Sequence, residues 1–207
     1  DWLTVDAQFR RAVAEGQPAQ ILAALQRHGT GIRSSEVFVL GLDGQVLVST
    51  LEGVPAQQAF PYAQALRHAR RNSLQMLIVA LAGQPFLLVQ EDVLDPLPIA
   101  RVVMGFAMDE AFAAELRSLS NLEVSFMSLD NGQPGTLFST QPLADRPAII
   151  QALQNSNINP LAQMSEWHGQ RFLSQVLALA NTGDGGQVMA LLQSPLDHAL
   201  QSFAPLD

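Results

Sequence analysis

Residues Glu36 to Thr50 read EVFVLGLDGQVLVST, and their pattern is the main indication of the fold. Two β-branched runs flank the dipeptide Asp43-Gly44, which is a strong signal for a tight hairpin between two strands. A similar stretch, EVSFMSLDNGQPGTLFST, runs from Glu123 to Thr140 and has Asp130-Asn131-Gly132-Gln133 at its turn. Both stretches end on Ser-Thr. We therefore predict two hairpins, each of which opens a unit of its own.

The elements after each hairpin follow one order. In the first copy we predict a helix, three apolar strands and a second helix, over about Pro61–Arg71, Leu74–Ala82, Pro85–Glu91, Ile99–Met108 and Asp109–Leu119. In the second copy Pro147 opens the inserted helix and Gly169-Gln170 joins two strands, at a near-constant offset of about 86 residues. This repetition predicts a tandem duplication. Each copy should form a five-stranded antiparallel sheet whose apolar face is covered by a helix, and sheet and helix should enclose a pocket.

Apolar residues recur at helical spacing between Trp2 and His28. We predict a long N-terminal helix there, with Pro18 placed to start a second segment and Gly29 placed to end it. The predicted fold class is α+β: a long N-terminal helix followed by two tandem units.

Composition excludes several classes of function. The chain has 207 residues, a net charge of −8, eleven Arg, no Lys and no Cys. It offers no cationic surface for nucleic acid, no Schiff-base lysine and no thiol nucleophile. The longest apolar run, Met76 to Ala82, is far shorter than the roughly 20 residues that a membrane-spanning helix needs. Because the chain begins at Asp1, we expect it to be a piece of a longer protein.

Two stretches give the chain a resemblance to a known family. Val37 to Gln45 resembles the opening hairpin of the double Cache family, whose units are PAS-like and which serves in extracytoplasmic sensor domains. The stretch LPIARVVMGF, from Leu97 to Phe106, followed by Asp109, is similar to the family's crossover into its second unit. The family's amino-acid-binding motif is absent. The resemblance implies an N-terminal helix over 1–35, a membrane-distal unit over 36–110, and a membrane-proximal unit with a C-terminal helix over 111–207.

The resemblance also implies a location and an output. Such a domain lies outside the inner membrane, in the periplasm, between two transmembrane helices, and a cytoplasmic output domain follows it. We expect a GGDEF or EAL enzyme of cyclic-di-GMP metabolism, a diguanylate cyclase or phosphodiesterase. The alternative outputs are a histidine kinase of a two-component system and a chemoreceptor.

No catalytic constellation, metal-ligand spacing or cofactor motif occurs in the sequence, so we predict no catalytic residues, no metal and no cofactor. The best ligand signal is the predicted helix Pro61–Arg71, because Arg67 and Arg71 lie on one helical face and could converge on one carboxylate or phosphate. Its alternative is a solvated basic face. The predicted ligand-binding residues are Tyr62, Arg67, Arg71, Gln75 and Gln90.

The leading hypothesis is therefore a domain without catalysis that senses a small molecule, such as a carboxylate or another anion, and that pairs as a homodimer along its N-terminal helix. A non-sensing dimerisation or protein-docking domain is the second hypothesis. A pocket lined by Arg67, Arg71 or Tyr62 would favour sensing, and a pocket filled with Leu, Met and Phe would favour docking.

Overall fold

A computed structural model of the chain describes residues 6–28, 36–72, 74, 76–155, 162–167, 169–181 and 186–196. The chain forms two compact units, one of residues 1–78 with 86–107 and the other of residues 79–85 with 108–207. No helix in the described part is long and apolar enough to cross a membrane. The C-terminal helix predicted after Ser194 falls almost wholly outside the described residues.

The first sheet has five strands in the order β2-β1-β5-β4-β3. Its β1–β2 hairpin turns at Asp43-Gly44 as predicted, with Gly44 at φ +90° and the Asp43 carboxylate accepting from the backbone N–H of Gln45 at 3.0 Å. The elements are β1 (Glu36–Gly41), β2 (Val46–Ser49), the inserted helix α3 (Ala63–Arg71), β3 (Met76–Leu81), β4 (Gln84–Asp95) and β5 (Leu97–Ala107).

The second sheet repeats this order as β7-β6-β10-β9-β8. Helix α4 precedes it, and Asp109 caps that helix by accepting from the N–H of Phe112 at 3.0 Å, as predicted. Its elements are α4 (Glu110–Ser120), β6 (Glu123–Asp130), β7 (Gln133–Ser139), α5 (Arg146–Asn155), β8 (Gln163–Trp167), β9 (Gln170–Asn181) and β10 (Gly186–Pro195). The two tandem five-stranded units confirm the predicted α+β fold at this level.

The two hairpins share a detail that explains the repeated Ser-Thr. The Thr50 hydroxyl accepts from the N–H of Val37 at 2.9 Å and bonds the Glu36 carboxylate, and Thr140 does the same with Val124 and Glu123, at 2.9 and 2.6 Å. The preceding serines, Ser49 and Ser139, each accept from the N–H two residues later, at 3.1 Å in both cases. The repetition thus extends from the order of elements to individual hydrogen bonds.

The N-terminal segment is not one long helix, although a second helix starts at Pro18, as predicted. The structure has two shorter helices, α1 (Ala7–Ala14) and α2 (Pro18–His28), and Arg27 near the end of α2 donates to Gln8 near the start of α1 at 2.7 Å, so the helices run antiparallel. The chain reverses because Gly16 adopts φ +61°, where glycine is favoured, and Pro18 then occupies the first position of α2. Residues 1–5 lie outside the described part.

The connection between β4 and β5 also differs from the prediction. The predicted strands end at Glu91 and resume at Ile99. In the structure the two strands remain paired as far as Asp95 and Leu97. A bulge between Val93 and Leu94 lets the ladder continue through Pro98, which pairs with Leu94, so that Pro96 alone separates the two strands.

Each sheet has a helix on both of its faces. The α1–α2 hairpin buries Phe9, Val13, Ile21 and Leu25 against one face of the first sheet, where Val39 and Val102 lie. Helix α3 covers the opposite face. In the second unit α5 covers Met127, Met189 and their neighbours, while Phe112 of α4 meets Phe126 on the other face, with ring centroids 5.8 Å apart.

Candidate functional site

Three polar side chains point from the first sheet toward helix α3. Gln90 and Asp92 are two residues apart on β4, so they share a face, and Arg101 on β5 lies directly opposite Asp92 in the ladder. Gln90 and Arg101 are each only 6% exposed. We call Gln90, Asp92 and Arg101 the polar cluster.

Helix α3 is fastened to this cluster at two points. The Gln90 side-chain amide donates from Nε2 to the backbone carbonyl of Leu66 at 2.8 Å. One helical turn later, the Arg70 guanidinium forms an ion pair with Oδ2 of Asp92, whose other oxygen lies 3.5 Å from Nε of Arg101. Asp92 therefore sits between two guanidinium groups, one from the helix and one from the sheet.

Two buried atoms of the cluster lack a hydrogen-bond partner among the described residues. They are Oε1 of Gln90 and Nε of Arg101, the latter being paired with Asp92 only by charge. Leaving a buried donor or acceptor unsatisfied costs about 1–3 kcal/mol, and more when the group is charged. The interface between α3 and the sheet thus holds one acceptor and one cationic donor without hydrogen-bond partners among the described residues, on neighbouring strands.

The cluster lies at a boundary between the interior and solvent. The side chain of Arg70 is 48% exposed and that of Asp92 is 19% exposed, whereas Arg101 is buried beneath them. The other half of α3 packs on apolar side chains, with Phe38 and Phe60 at a centroid distance of 5.1 Å and Leu66 fully buried. One end of the interface is therefore closed by aromatic packing and the other end is polar.

Of the predicted ligand-binding residues, the structure brings Gln90 and Tyr62 to this interface. Tyr62 is buried at the start of α3, edge-on to Phe60 at 6.3 Å. Arg67 instead donates to the backbone carbonyl of Asp43 at 3.3 Å, and Arg71 is exposed, so the two have no shared partner among the described residues. Gln75 lies outside the described residues.

Arg70, Asp92 and Arg101 were not among the residues predicted from the sequence. The strand was predicted to end at Glu91, which would leave Asp92 in a loop, but β4 continues to Asp95 and the Asp92 side chain is only 19% exposed. One signal could have found the site: Gln90 and Asp92 are the polar members of a period-2 series that begins with the buried Phe86 and Leu88.

The second unit has apolar residues at the corresponding positions. Leu40 pairs with Arg101 in the first sheet, and Met127, at the same distance after its glutamate, pairs with Met189 in the second. By the same ladders, Gln90 corresponds to Val176 and Asp92 to Ala178. The polar cluster is therefore a feature of the first unit within the described chain.

Buried polar groups of the second unit bond to one another. Ser125 bonds Ser139 at 2.8 Å, and Gln193 accepts from Gln141 at 3.1 Å and donates to Ser174 at 3.2 Å. Trp167 packs against the apolar cluster under α5. This network is neutral and satisfied, in contrast to the polar cluster of the first unit.

A concavity lies between α1 and α2, with a volume of about 440 Å³. Its charged lining residues already have partners, because Arg11 pairs with Glu15 at 2.8 Å and Arg27 with Gln8. The hydrogen bond and charge of Glu15 raise the pKa of Arg11. Among the described residues, no group of three His, Asp or Glu side chains is placed to hold a metal ion.

Comparison with known proteins identifies the fold. No protein-family model and no curated protein matches the chain in sequence. Among solved structures, the periplasmic domain of Vibrio cholerae LuxQ superposes with a TM-score of 0.52 over 94% of this chain and 88% of that one, at 13% identity.

This chain has the double Cache, tandem PAS-like fold. Two further solved structures are similar to this chain, each with a TM-score of 0.47. They are the sensor domain of the Vibrio cholerae histidine kinase DctB (16% identity; 94% of this chain, 86% of that one) and the ligand-binding domain of the Pseudomonas aeruginosa amino acid chemoreceptor PctB with L-Arg (13% identity; 99% and 88%). The predicted resemblance is confirmed for the fold.

Proposed function

We propose that this chain is the periplasmic ligand-sensing domain of a membrane-bound signalling receptor and performs no catalysis itself. The observation that carries the proposal is the pair of buried, unsatisfied polar atoms, Oε1 of Gln90 and Nε of Arg101, at the interface of α3 with the first sheet. A domain that needed only stability would fill these positions with apolar side chains, as the second unit does with Val176 and Met189. The tandem PAS-like fold, which LuxQ uses in a periplasmic domain, agrees with this location.

The signal would be mechanical. Helix α3 is held to the polar end of the sheet by the Arg70–Asp92 ion pair and by the Gln90–Leu66 hydrogen bond. A ligand that bonds Gln90 or Arg101 better in one position of α3 shifts the population toward that position. In the proposed arrangement, with the first unit distal and the second proximal to the membrane, flanking transmembrane helices would carry that shift to an output domain.

The class of output domain stays a prediction. The predicted GGDEF or EAL enzyme gains no support from the solved structures named above, and the alternative, a histidine kinase or a chemoreceptor, agrees with them better. We therefore prefer that alternative for the full-length receptor.

A homodimer through the N-terminal helices also stays a prediction. The large apolar side chains of α1 and α2, Phe9, Val13, Ile21 and Leu25, are buried against their own sheet. Between Asp6 and Arg27 no large apolar side chain is exposed, so a dimer formed by this part of the helices would rely on polar contacts.

A thermal-shift screen tests the sensing function. The chain is heated with carboxylates, amino acids, phosphates, amines and sugars, and each hit is repeated with the variants Gln90→Leu and Arg101→Gln. A ligand at one hundred times its Kd stabilises the folded state by about 2.7 kcal/mol, which raises Tm by several degrees in a chain of this size. We expect at least one hit, reduced in both variants.

Arg71→Ala and Arg67→Ala serve as controls on the same helix, and they also test the site predicted from the sequence. The structure leads us to expect that both variants keep the shift, since Arg71 is exposed and Arg67 is bonded to Asp43. A screen without any hit would contradict sensing. It would favour the dimerisation or docking domain. The aromatic packing of Phe38 and Phe60 under α3 agrees with that alternative, for which an apolar filling was expected.

A further inference from the structure

The charge of the polar cluster indicates the sign of its ligand. Asp92 is the acidic residue that pairs with both Arg70 and Arg101, so the three groups together carry one excess positive charge. Solvent compensates part of the charge on Arg70, whose side chain is half exposed, but it reaches little of Arg101. A buried cation without full compensation is costly, and an anionic group beside Arg101 would remove that cost.

The shape of the donor indicates a carboxylate. The guanidinium group presents its N–H donors in a planar fork that fits two oxygens of one carboxylate. Nε of Arg101 has no hydrogen bond to any described residue, and Asp92 lies 3.5 Å from it as an ion pair rather than in hydrogen-bond geometry. A ligand carboxylate can supply the acceptors that Asp92, drawn also toward Arg70, does not.

Gln90 indicates a second group on the same ligand. Its Nε2 donates to the carbonyl of Leu66, and reversing the amide would set two oxygens against each other, so Oε1 is held as the free acceptor. Gln90 and Arg101 lie on neighbouring strands and on one face, diagonally across the Asp92–Arg101 pair. A ligand whose acceptor group binds Arg101 therefore lies near Oε1 of Gln90. A hydrogen-bond donor on the same ligand could satisfy that oxygen.

The donor should be neutral. An ammonium group at Gln90 would lie close to Arg101, and the carboxylate of Asp92 is already shared by two guanidinium groups. A hydroxyl group donates to Oε1 without this repulsion. We infer that the first unit binds a small hydroxycarboxylate, with its carboxylate on Arg101 and its hydroxyl donating to Oε1 of Gln90. This inference rests on the proposed sensing function.

Matched compounds separate the two contacts. The first series is L-lactate, propanoate, L-alanine and 1,2-propanediol; the second is L-malate, succinate and L-aspartate; the third is 3-hydroxybutanoate, butanoate and 3-aminobutanoate. Each is titrated against the chain by calorimetry and thermal shift. In at least one series we expect the hydroxy acid to bind at least tenfold more tightly than its deoxy and amino analogues, and the diol not to bind.

Variants assign the contacts. Arg101→Gln should abolish binding of the hydroxy acid, and Gln90→Leu should reduce its affinity to that of the deoxy acid. Arg71→Ala should bind as the wild type does. Circular dichroism verifies folding. If Arg101→Gln does not fold, Gln90→Leu remains decisive, because it should bind the hydroxy acid no more tightly than the deoxy acid.

The outcomes separate this inference from the proposed function. Preference for an amino acid or a deoxy acid in every series would overturn the hydroxycarboxylate assignment and leave sensing in place. The same holds if none of these compounds binds while the broader screen yields a hit that depends on Arg101. If neither the matched series nor the broader screen yields a hit, both the inference and the sensing function fail.

Discussion

At the scale of single residues, the threonine that ends each opening hairpin should be a stabilising contact. Thr140 accepts from the buried N–H of Val124 and donates to Glu123. Thr140→Val leaves that N–H unsatisfied, at a cost of about 1–3 kcal/mol. We expect a lower free energy of unfolding in urea. The control is Thr136→Val on the exposed part of β7, which should change the free energy of unfolding by less than about 0.5 kcal/mol. Equal losses in the two variants would contradict a stabilising role of the Thr140 hydroxyl.

Residue-scale features of the site could be predicted only in part from the sequence. Gln90 was selected because it is a polar break in an apolar strand, and the structure places it at the α3 interface. Arg67 and Arg71 were selected by helical spacing, but spacing alone does not say which face meets the sheet. Arg70 is the arginine that contacts the sheet, through Asp92. That role of Asp92 follows from the strand pairing, which places it opposite Arg101.

At the scale of elements, the turn between α1 and α2 should depend on Gly16. Its φ is +61°, and no atom lies within 4 Å of where a Cβ would stand, so a substitution there meets backbone strain rather than a clash. Gly16→Ala should cost about 1–2 kcal/mol of stability. Gly16→Asn should cost less, because asparagine tolerates this conformation. Urea unfolding of both variants tests this, and an alanine variant as stable as the wild type would contradict it.

The elements were predictable where local chemistry determines them. Asp43-Gly44 and Asn131-Gly132 fix their hairpins because the turns need residues that accept positive φ. For the N-terminal helices, the apolar spacing and Pro18 predicted a long helix with a second segment starting at Pro18, but periodicity does not show that the chain reverses there. The reversal between the two helices depends on Gly16 and on burial against the sheet. Burial is a tertiary effect, and it cannot be read from the periodicity of one segment. The end of β4 was misplaced for the same reason, since pairing with β5 carries it past Glu91.

At the scale of the whole molecule, a duplicated fold with one polar cluster should bind one ligand per chain. Both sheets have the same strand order, yet Val176, Ala178 and Met189 stand where the first unit has Gln90, Asp92 and Arg101. In the second unit Gln141 and Gln193 bond to each other. Nε of Arg146 also lacks a hydrogen-bond partner among the described residues, but its guanidinium group is paired with Glu110 at 2.6 Å.

Calorimetric titration with whichever compound binds should therefore give a stoichiometry close to one. Arg101→Gln should remove all of the heat, whereas Met189→Leu, a volume-conserving change at the corresponding core position of the second unit, should leave the stoichiometry and the affinity unchanged. A stoichiometry of two, or heat that survives Arg101→Gln and falls in Met189→Leu, would place binding in the second unit. With a stoichiometry of two, the duplication would have preserved a site in both copies, and the site of the second copy would use side chains other than the polar cluster.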